Sequence, residues 1–465
     1  MHRNTRYKIP KGNFIIIIFI LNLFFYGLSY CLGYKRALIN LDFVLPLLFP
    51  FSNFLVSLIL GAIVIIELTT ITAHLFYFTP VSFIASGALP FINETRLMPL
   101  MITFAFVVVY AFFILVFEVT LRAVNTKRSS GVNRAVVIFL IVVVSLDVLA
   151  GGFYNNGNNS APLRFLNLNV STSGIARIAS EIRSSYFLSK NVVEAKPVDS
   201  ALGQTLAGFG LKRPSDKFVL IILESFGLFS KLSDNDFILK EFSGLLNASY
   251  NVHAGKVKFS GATTAAEVRE LLGVEGDYNY MRSLAGDNVR ALRVFSNNSY
   301  HMTGFHYYYR SAFNRDVWWS RAGLTHQRFL DSLGRSEIQL AGGFLNGGYD
   351  RKLIADIFNS LNISDKVFAY GLTLNSHLPV HINKDIKAME DKPLVGFNGS
   401  SDNVKTLVNS WRVVFHEIAN QLNNVRRDNV TVVIVGDHAP PFVNLRDRLI
   451  FNQTYVAYIV VTSSN

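Results

Sequence analysis

The chain has one cysteine and few charged residues. The cysteine, Cys31, lies in an apolar segment near the N-terminus, so no intramolecular disulfide can form and each domain must be held by its own core. Charged residues make up only 16% of the 465 residues. The sequence also lacks internal repeats, low-complexity segments of note and any nucleic-acid-binding motif, so nucleic acid is not expected as a partner.

Hydrophobic residues make up 50% of the chain, with a mean hydropathy of +0.31, and the excess is concentrated in the first third. Residues 12–34 carry no charge and are long enough to span a bilayer as a helix. Because no small-residue cleavage site follows them, we predict an anchor rather than a removed signal peptide. Further apolar tracts cover residues 43–93, interrupted only by Glu67, and residues 97–117 and 135–153.

The number of spans decides on which side of the membrane the C-terminal part lies. If residues 43–93 hold two helices, the total is five, and the basic N-terminus and the basic loop 121–134 both face the cytoplasm, with Lys35 and Arg36 outside. This arrangement satisfies the positive-inside rule, whereas four spans would not. We therefore predict a membrane domain of five helices in residues 1–153, followed by an extracytoplasmic domain.

The remaining chain divides into a linker and an α/β domain. Residues 154–213 are predicted to be a linker with an amphipathic helix around GIARIASEIRSSYFLSK. From residue 214 to 465 the pattern alternates strand, loop and helix, which predicts a largely parallel central sheet covered by helices on both faces. Strands are predicted at 217–223, 256–260, 366–374, 430–436 and 455–462, and helices at 264–273, 350–361 and 403–424.

Two of these strands end in residues that could bind a metal. FVLIILESFG, residues 218–227, is a buried apolar run that leads into Glu224, and TVVIVGDHAPPF, residues 431–442, leads into Asp437 and His438. Open α/β sheets bind ligands at this edge, and two carboxylates with one imidazole suit Zn²⁺ or Mn²⁺. The alternative is a surface carboxylate and a turn-forming Asp beside an exposed His. The Gly before the pair and the Pro-Pro after it favour a rigid loop with fixed ligands.

A possible nucleophile follows another strand. In FSGATTAAEVRELLG, residues 259–273, Thr263 and Thr264 open a predicted helix. One interpretation is an ordinary Thr N-cap with Glu267 in the first turn. The other is catalytic, because a metal-bound hydroxyl at a helix N-terminus can attack phosphorus.

The motifs ILES, ATTAAE, NSHLP and GDHAPP occur in this order after a predicted multi-span membrane domain. The chain thereby resembles the alkaline phosphatase and sulfatase-like superfamily and, within it, lipoteichoic acid synthase and the membrane phosphoglycerol transferases. The resemblance implies an alkaline-phosphatase-like domain with one divalent metal, Mn²⁺ or Zn²⁺. It favours Thr263 over Thr264 as nucleophile, because Thr263 lies four residues before Glu267, as the family's nucleophile does before its own Glu. The implied metal ligands are Glu224, Thr263, Asp437 and His438.

The segment GFHYYYRSAFNRDVWWSRAG, residues 304–323, resembles the same branch, which carries a His followed by an aromatic-Asn-Arg-Asp run. Here these residues are His306 and Phe313–Asp316, and Phe313 departs from the family's usual Trp. The resemblance implies that His306 and Arg315 bind substrate, and both can donate to phosphate oxygens. The alternative is a packed aromatic surface with a stacked guanidinium.

A third predicted substrate-binding residue is His377, in LTLNSHLPV, which follows the predicted strand 366–374. It resembles the family His that contacts the phosphoryl group or protonates the leaving group.

The resemblance also implies a function and a location. It implies a multi-pass enzyme of the bacterial inner (cytoplasmic) membrane with its catalytic domain in the periplasm or outside. Such an enzyme moves a phospholipid headgroup, phosphoglycerol, onto a glycan through a phospho-threonine intermediate. The implied partners are a phosphatidylglycerol or phosphatidylethanolamine donor and a glycan or lipopolysaccharide acceptor.

Three alternatives are a phosphoethanolamine transferase, a sulfatase-like hydrolase and a catalytically silent scaffold. Phosphoethanolamine transferases typically brace the outer domain with several disulfides, which this chain cannot form. The string Ser160–Arg164 matches the C/S-x-P-x-R motif of type I sulfatases, but it precedes the first predicted strand and is a chance match.

Overall fold

The fold is described from a computed structural model, which divides into two compact units. The first contains residues 1–75 and 79–186, and the second contains residues 76–78 and 187–465. The structure describes residues 11–32, 36–44, 53–78, 81, 84, 171–179, 181–182, 196–208, 214–276, 292–334, 336, 338–342, 345–390, 394, 397, 399–424 and 429–463.

Two apolar helices form most of the described part of the first unit. They are α1, Lys11–Cys31, and α2, Asn53–Leu75. Among the described residues, one stretch of helix, Leu58–Leu75, is long and apolar enough to cross a membrane, and Ile18–Cys31 is a shorter apolar stretch. The first unit also contains a 3₁₀ turn, Leu41–Val44, and a parallel pair of short strands, β1 (Ile39–Asn40) and β2 (Ser171–Thr172).

The predicted spans at 97–117 and 135–153 lie outside the described residues, so the number of spans stays a prediction. Of the tract 43–93, residues 43–44, 53–78, 81 and 84 are described, and they include α2.

A buried polar cluster lies within the first unit. Arg36 forms an ion pair with Glu67 of α2 and donates to Asn22 Oδ1 at 3.2 Å. Asn40 also donates to Glu67. The charge of Glu67 is therefore compensated by the segment that precedes α2 in the sequence.

The second unit is built on an eight-stranded mixed sheet. Its strands are β3 Lys217–Leu223, β4 Gly227–Phe229, β5 Tyr250–Lys258, β6 His301–His306, β7 His326–Phe329, β8 Val367–Leu372, β9 Val430–Gly436 and β10 Phe451–Ser463. Their order is β4-β10-β9-β3-β8-β6-β7, and β5 also pairs with β10. The five strands β9, β3, β8, β6 and β7 run parallel, whereas β10 is antiparallel to β9, β4 and β5.

Helices cover this sheet, and the central strands β3, β8 and β9 are buried at successive positions, as expected when both faces are covered. The helices are α3 Ala201–Gly208, α4 Leu232–Leu245, α5 Thr263–Glu267, α6 Arg293–Asn297, α7 Arg315–Arg321, α8 Asp350–Ser360, α9 Lys384–Glu390, α10 Asp402–Asn424 and α11 Leu445–Arg448. Three of them, α4, α8 and α9, pack on the long α10, and α3 packs on β9.

The predicted strands 217–223 and 430–436 are confirmed at both ends, and those at 256–260, 366–374 and 455–462 are confirmed with shifted bounds. Three strands of the second unit, β4, β6 and β7, were not predicted. The sheet is mixed rather than largely parallel at its β10 side, because the segment between β9 and β10 holds only the one-turn helix α11 and returns the chain as an antiparallel neighbour.

Candidate metal centre

The carboxyl ends of β9, β3, β8 and β6 meet at one edge of the sheet, because these strands are parallel. β5 also ends at this edge, since it and β9 are both antiparallel to β10. The buried strands deliver Glu224, Thr263, Asp437 and His438 to one place, where Glu224, Asp437 and His438 can each offer a ligand atom within 4.8 Å of the others.

Asp437 is held so that one carboxylate oxygen is fixed and the other is presented to the site. Oδ1 accepts the backbone N–H of Ser225 at 2.7 Å and that of His438 at 2.8 Å. Oδ2 accepts from Thr263 Oγ1 at 2.9 Å and lies 3.2 Å from His438 Nε2. The side chain therefore needs no rearrangement to present Oδ2 to a metal ion.

Glu224 is fixed through its backbone by the loop that follows β8. Its N–H donates to Thr373 Oγ1 at 2.9 Å, and its carbonyl accepts from Ser376 Oγ at 2.6 Å. The next residue, Ser225, has φ +54° and turns the chain sharply, so that its hydroxyl donates to Glu224 Oε1 at 3.1 Å. Glu224 is 3% exposed, so the interpretation as a surface carboxylate is wrong.

Thr263 is the first residue of α5, and Ala262 is the N-cap. The Thr263 hydroxyl turns toward the carboxylates instead of capping the helix. It lies 3.2 Å from Glu224 Oε2 and 2.9 Å from Asp437 Oδ2. The ordinary N-cap interpretation is therefore wrong for this residue.

The ring of His438 is oriented by its neighbours. Nδ1 lies 3.0 Å from the carbonyl of Ala439 and is assigned as the N–H donor, which leaves Nε2 as the ligand atom. The ring of Tyr77 lies against the imidazole, with 5.4 Å between centroids, and its hydroxyl donates to Gln453 at 3.2 Å. Tyr77 belongs to the second unit, although it follows α2 directly in the sequence.

The charges of the centre fit a cation. Burial, and then the charge of Asp437, raise the pKa of Glu224 well above its ordinary value. Two buried carboxylates, an imidazole lone pair and a hydroxyl form a donor set that suits a divalent metal ion, which would offset this repulsion.

His377 lies close enough to His438 and Asp437 to interact with both electrostatically. Burial, and then His438, lower the pKa of His377 to about 4, so its imidazole is neutral near pH 7. It lines a small cavity with Leu374, Asn375 and His381.

Arg315 lies beside another buried carboxylate, Glu267, and His306 is near enough to Arg315 to interact with it electrostatically. Arg315 donates to Glu267 through Nε at 3.1 Å and through Nη2 at 3.0 Å. Trp319 Nε1 and the Tyr370 hydroxyl also donate to Glu267, each at 3.1 Å. His306 is 2% exposed, its Nδ1 lies 3.0 Å from the carbonyl of Leu372, and burial followed by Arg315 lowers its pKa.

The guanidinium of Arg315 is thus engaged with Glu267, and its Cζ lies 5.0 Å from the ring centroid of Phe313. These contacts match the packed interpretation of this segment. Substrate binding by His306, Arg315 and His377 stays a prediction.

Sequence reasoning missed the residues that hold the centre in place, including Ser225, Thr373, Ser376 and Tyr77. Ser225 and Ser376 adjoin two of the motifs, and this adjacency was the available signal. Tyr77 lies far away in the sequence and carried none.

No family model and no curated protein match this sequence. Among solved structures, the integral membrane protein lipooligosaccharide phosphoethanolamine transferase A from Neisseria meningitidis is 15% identical, and the match covers 99% of this chain and 83% of that chain with a TM-score of 0.50. A lipoteichoic acid synthase from Listeria monocytogenes is 16% identical over 54% of this chain and 66% of that chain, with a TM-score of 0.42. A Streptococcus pyogenes phosphoglycerol transferase, solved with sn-glycerol-1-phosphate, is 16% identical over 61% and 74%, with a TM-score of 0.35.

At 15% identity and a TM-score of 0.50, this first likeness shows a shared fold, and that fold agrees with the one that the motifs predict. The match over almost the whole chain is to an integral membrane protein.

Proposed function

We propose that the chain is a multi-pass bacterial inner-membrane enzyme that uses one divalent metal to transfer a phospholipid headgroup, phosphoglycerol, to a periplasmic or cell-surface glycan. Residues 214–465 form the extracytoplasmic catalytic domain. The observation that carries the proposal is the position of Thr263. Its hydroxyl oxygen lies 3.2 Å and 2.9 Å from two buried carboxylates that a metal would share with His438.

The residues present can carry both halves of a transfer. In the first half, Thr263 Oγ1 forms a bond to the donor phosphorus, the bond to diacylglycerol breaks, and the Thr263 proton passes through a neighbouring carboxylate to the leaving oxygen. In the second half, a hydroxyl of the acceptor attacks phosphorus, the bond to Thr263 Oγ1 breaks, and the proton of that hydroxyl passes to Thr263 Oγ1.

A Mn²⁺ or Zn²⁺ ion held by Glu224, Asp437, His438 and Thr263 would lower the pKa of the hydroxyl and offset charge on the phosphoryl oxygens. His377 offers an N–H to the phosphoryl group or to the leaving oxygen. His306 and Arg315 are proposed to face the donor headgroup.

The second candidate is transfer of phosphoethanolamine, with a lipopolysaccharide acceptor. It is supported by the likeness over 99% of this chain to a lipooligosaccharide phosphoethanolamine transferase. The single cysteine argues for phosphoglycerol, because the disulfide-braced outer domain expected of that class cannot form here.

The test uses the full-length protein in detergent with Mn²⁺ and vesicles of phosphatidylglycerol or, separately, phosphatidylethanolamine. We expect diacylglycerol release and, by mass spectrometry, a Thr263 peptide that carries the donor's phosphodiester headgroup. The donor that yields the modified peptide decides between the candidates, and free headgroup phosphate without acceptor would indicate a hydrolase.

Removal of the nucleophile should reduce transfer by about 10⁴-fold or more. Thr263→Ala is compared with Thr264→Ala, which deletes the same atoms from the next residue and should retain transfer. If Thr263→Ala still released diacylglycerol at the wild-type rate with Mn²⁺ present, the proposal would fail.

A further inference from the structure

The helix that begins at Thr263 continues beyond α5 as a turn of π-helix, Val268–Leu272. Such turns are frequent at functional sites. All residues of this turn are buried, including the charged residues Arg269, which is 5% exposed, and Glu270, which is 0% exposed. Buried charges are costly unless they are paired, so their partners show what this turn does.

Arg269 binds the end of β9, the strand that leads into two of the candidate metal ligands. Its Nη2 donates to the carbonyl of Gly436 at 2.8 Å, and Nη1 donates to the carbonyl of Asp437 at 3.5 Å. Its Nε donates to Glu270 at 2.6 Å. Since the donor is ionised, these bonds are stronger than those between neutral groups.

Glu270 connects the same turn to a third element. Its carboxylate accepts the N–H of Ala201 at 3.3 Å and that of Leu202 at 3.0 Å, at the first turn of α3. A carboxylate is stabilised at this end of a helix. Glu270 therefore orients the guanidinium of Arg269 and caps α3 at the same time.

The backbone that Arg269 binds has little room to adjust on its other side. Gly436 pairs with Leu223 at the end of the ladder between β9 and β3. A Cβ at Gly436 would lie 1.9 Å from the carbonyl oxygen of Phe226. The strand end is thus held by close packing and by one guanidinium that belongs to the segment of the predicted nucleophile.

We propose that Arg269 is a positioning residue that fixes the position of the proposed nucleophile relative to the loop after β9, residues 437–439. Thr263 and Arg269 lie on one continuous helical segment. The hydrogen bonds from Arg269 to the carbonyls of Gly436 and Asp437 therefore fix where this segment lies against the end of β9. They thereby determine the distance between Thr263 Oγ1 and Asp437 Oδ2, which is 2.9 Å. This inference rests on the proposed metal-dependent function.

The test compares Arg269→Gln and Arg269→Lys with Arg412→Gln in the full-length protein. Arg412 is a matched control, because it is also buried, pairs with Glu241 at 2.6 Å and donates to the carbonyl of Met389 at 3.3 Å, all away from the centre. The first readout is Mn²⁺ affinity by titration calorimetry. The second is amide hydrogen exchange of residues 437–439 without metal.

We expect Arg269→Gln to weaken Mn²⁺ binding by about 10-fold, as is typical for residues that orient metal ligands. Arg269→Lys retains a cation for Glu270 and can reach one carbonyl, so it should restore part of the affinity. Arg412→Gln should leave Mn²⁺ affinity unchanged, whatever it does to stability. Exchange at residues 437–439 should accelerate in Arg269→Gln and not in Arg412→Gln.

Wild-type exchange at residues 437–439 in Arg269→Gln would overturn the proposal, as would faster exchange with wild-type Mn²⁺ affinity. If Arg269→Gln does not fold, the comparison is made with Arg269→Lys, for which a smaller loss of affinity and a smaller gain in exchange are expected. If the wild type binds no Mn²⁺, the proposed function fails, and the exchange measurement still decides whether Arg269 fixes the loop.

Discussion

In the second unit, the buried carboxylate of Glu267 and the buried pair of Glu224 and Asp437 are compensated in different ways. Glu267 accepts hydrogen bonds from Nε and Nη2 of Arg315, from Trp319 and from Tyr370, so its charge is matched within the protein. Glu224 and Asp437 instead face each other. In the part of the chain that the structure describes, no Lys or Arg forms an ion pair with these two, and His438 Nε2 lies 3.6 Å from Glu224 and 3.2 Å from Asp437.

This difference separates a structural carboxylate, Glu267, from two carboxylates that are suited to bind a metal ion, Glu224 and Asp437. The Glu267 group is complete without any added ion, so its members should stabilise the fold and hold their neighbours in place. The Glu224 and Asp437 pair stores like-charge repulsion that a cation would relieve. Neutralising one carboxylate should therefore have opposite effects on stability in the two groups.

The largest expected effect is that of Glu267→Gln. It leaves the guanidinium of Arg315 buried without its carboxylate, and breaking such a pair costs about 3–5 kcal/mol of unfolding free energy. Thermal or chemical unfolding followed by tryptophan fluorescence measures this loss. The three tryptophans, Trp318, Trp319 and Trp411, all belong to the second unit, so the signal reports on that unit.

The matched control is the exposed pair of Arg310 and Asp331, whose side chains are 47% and 33% exposed and 3.0 Å apart. Asp331→Asn should cost at most about 1 kcal/mol, because water screens the charges. Equal losses for the two variants would contradict the role assigned to the Glu267 group.

Asp350 gives an intermediate case and a pH dependence. This buried carboxylate accepts the N–H groups of Leu374 and Asn375 at 2.9 Å and 2.7 Å, and burial raises its pKa to about 7. Because the folded-state pKa lies above the unfolded value of about 3.9, its contribution to stability is full below about pH 4 and is lost as pH rises through 7.

The measurement is unfolding of the wild type and Asp350→Asn between pH 4 and pH 8. The Asn side chain does not titrate, so the variant should lack a decline of up to about 1.4 kcal/mol per pH unit that the wild type shows. Parallel curves for the two proteins would show that Asp350 does not titrate in this range.

The sequence was sufficient to predict the central strands and to single out residues that the structure brings together at the candidate metal centre. Runs such as those before Glu224 and Asp437 are apolar on both faces, and the direction of parallel strands then brings the following residues to one edge. β6 and β7 escaped prediction because their short segments contain His, Thr, Gly and Arg rather than a continuous apolar run.

The partners of the charged residues could not be predicted. Glu267 was interpreted as a residue of the first helical turn, and Arg315 as a hydrogen-bond donor to phosphate. Sequence spacing carries no information on which side chains meet across the core. Their contact depends on α5 and α7 packing near each other, 48 residues apart in the sequence. The role of Arg269 could not be predicted either, because it donates to backbone carbonyls of a strand end that lies far from it in the sequence.

The smallest expected effect on stability, and the sharpest contrast with Glu267→Gln, is that of Glu224→Gln in the presence of a chelator. The amide oxygen can still accept from Ser225 and Thr263, while one of two like charges is removed, so unfolding free energy should be unchanged or higher by up to about 1 kcal/mol. Mn²⁺ at 100 times its Kd should stabilise the wild type by about 2.7 kcal/mol, and this gain should disappear in the variant. A loss of about 3 kcal/mol in chelator would instead mean that the protein already compensates Glu224, as it does Glu267, and the centre would then not need a cation.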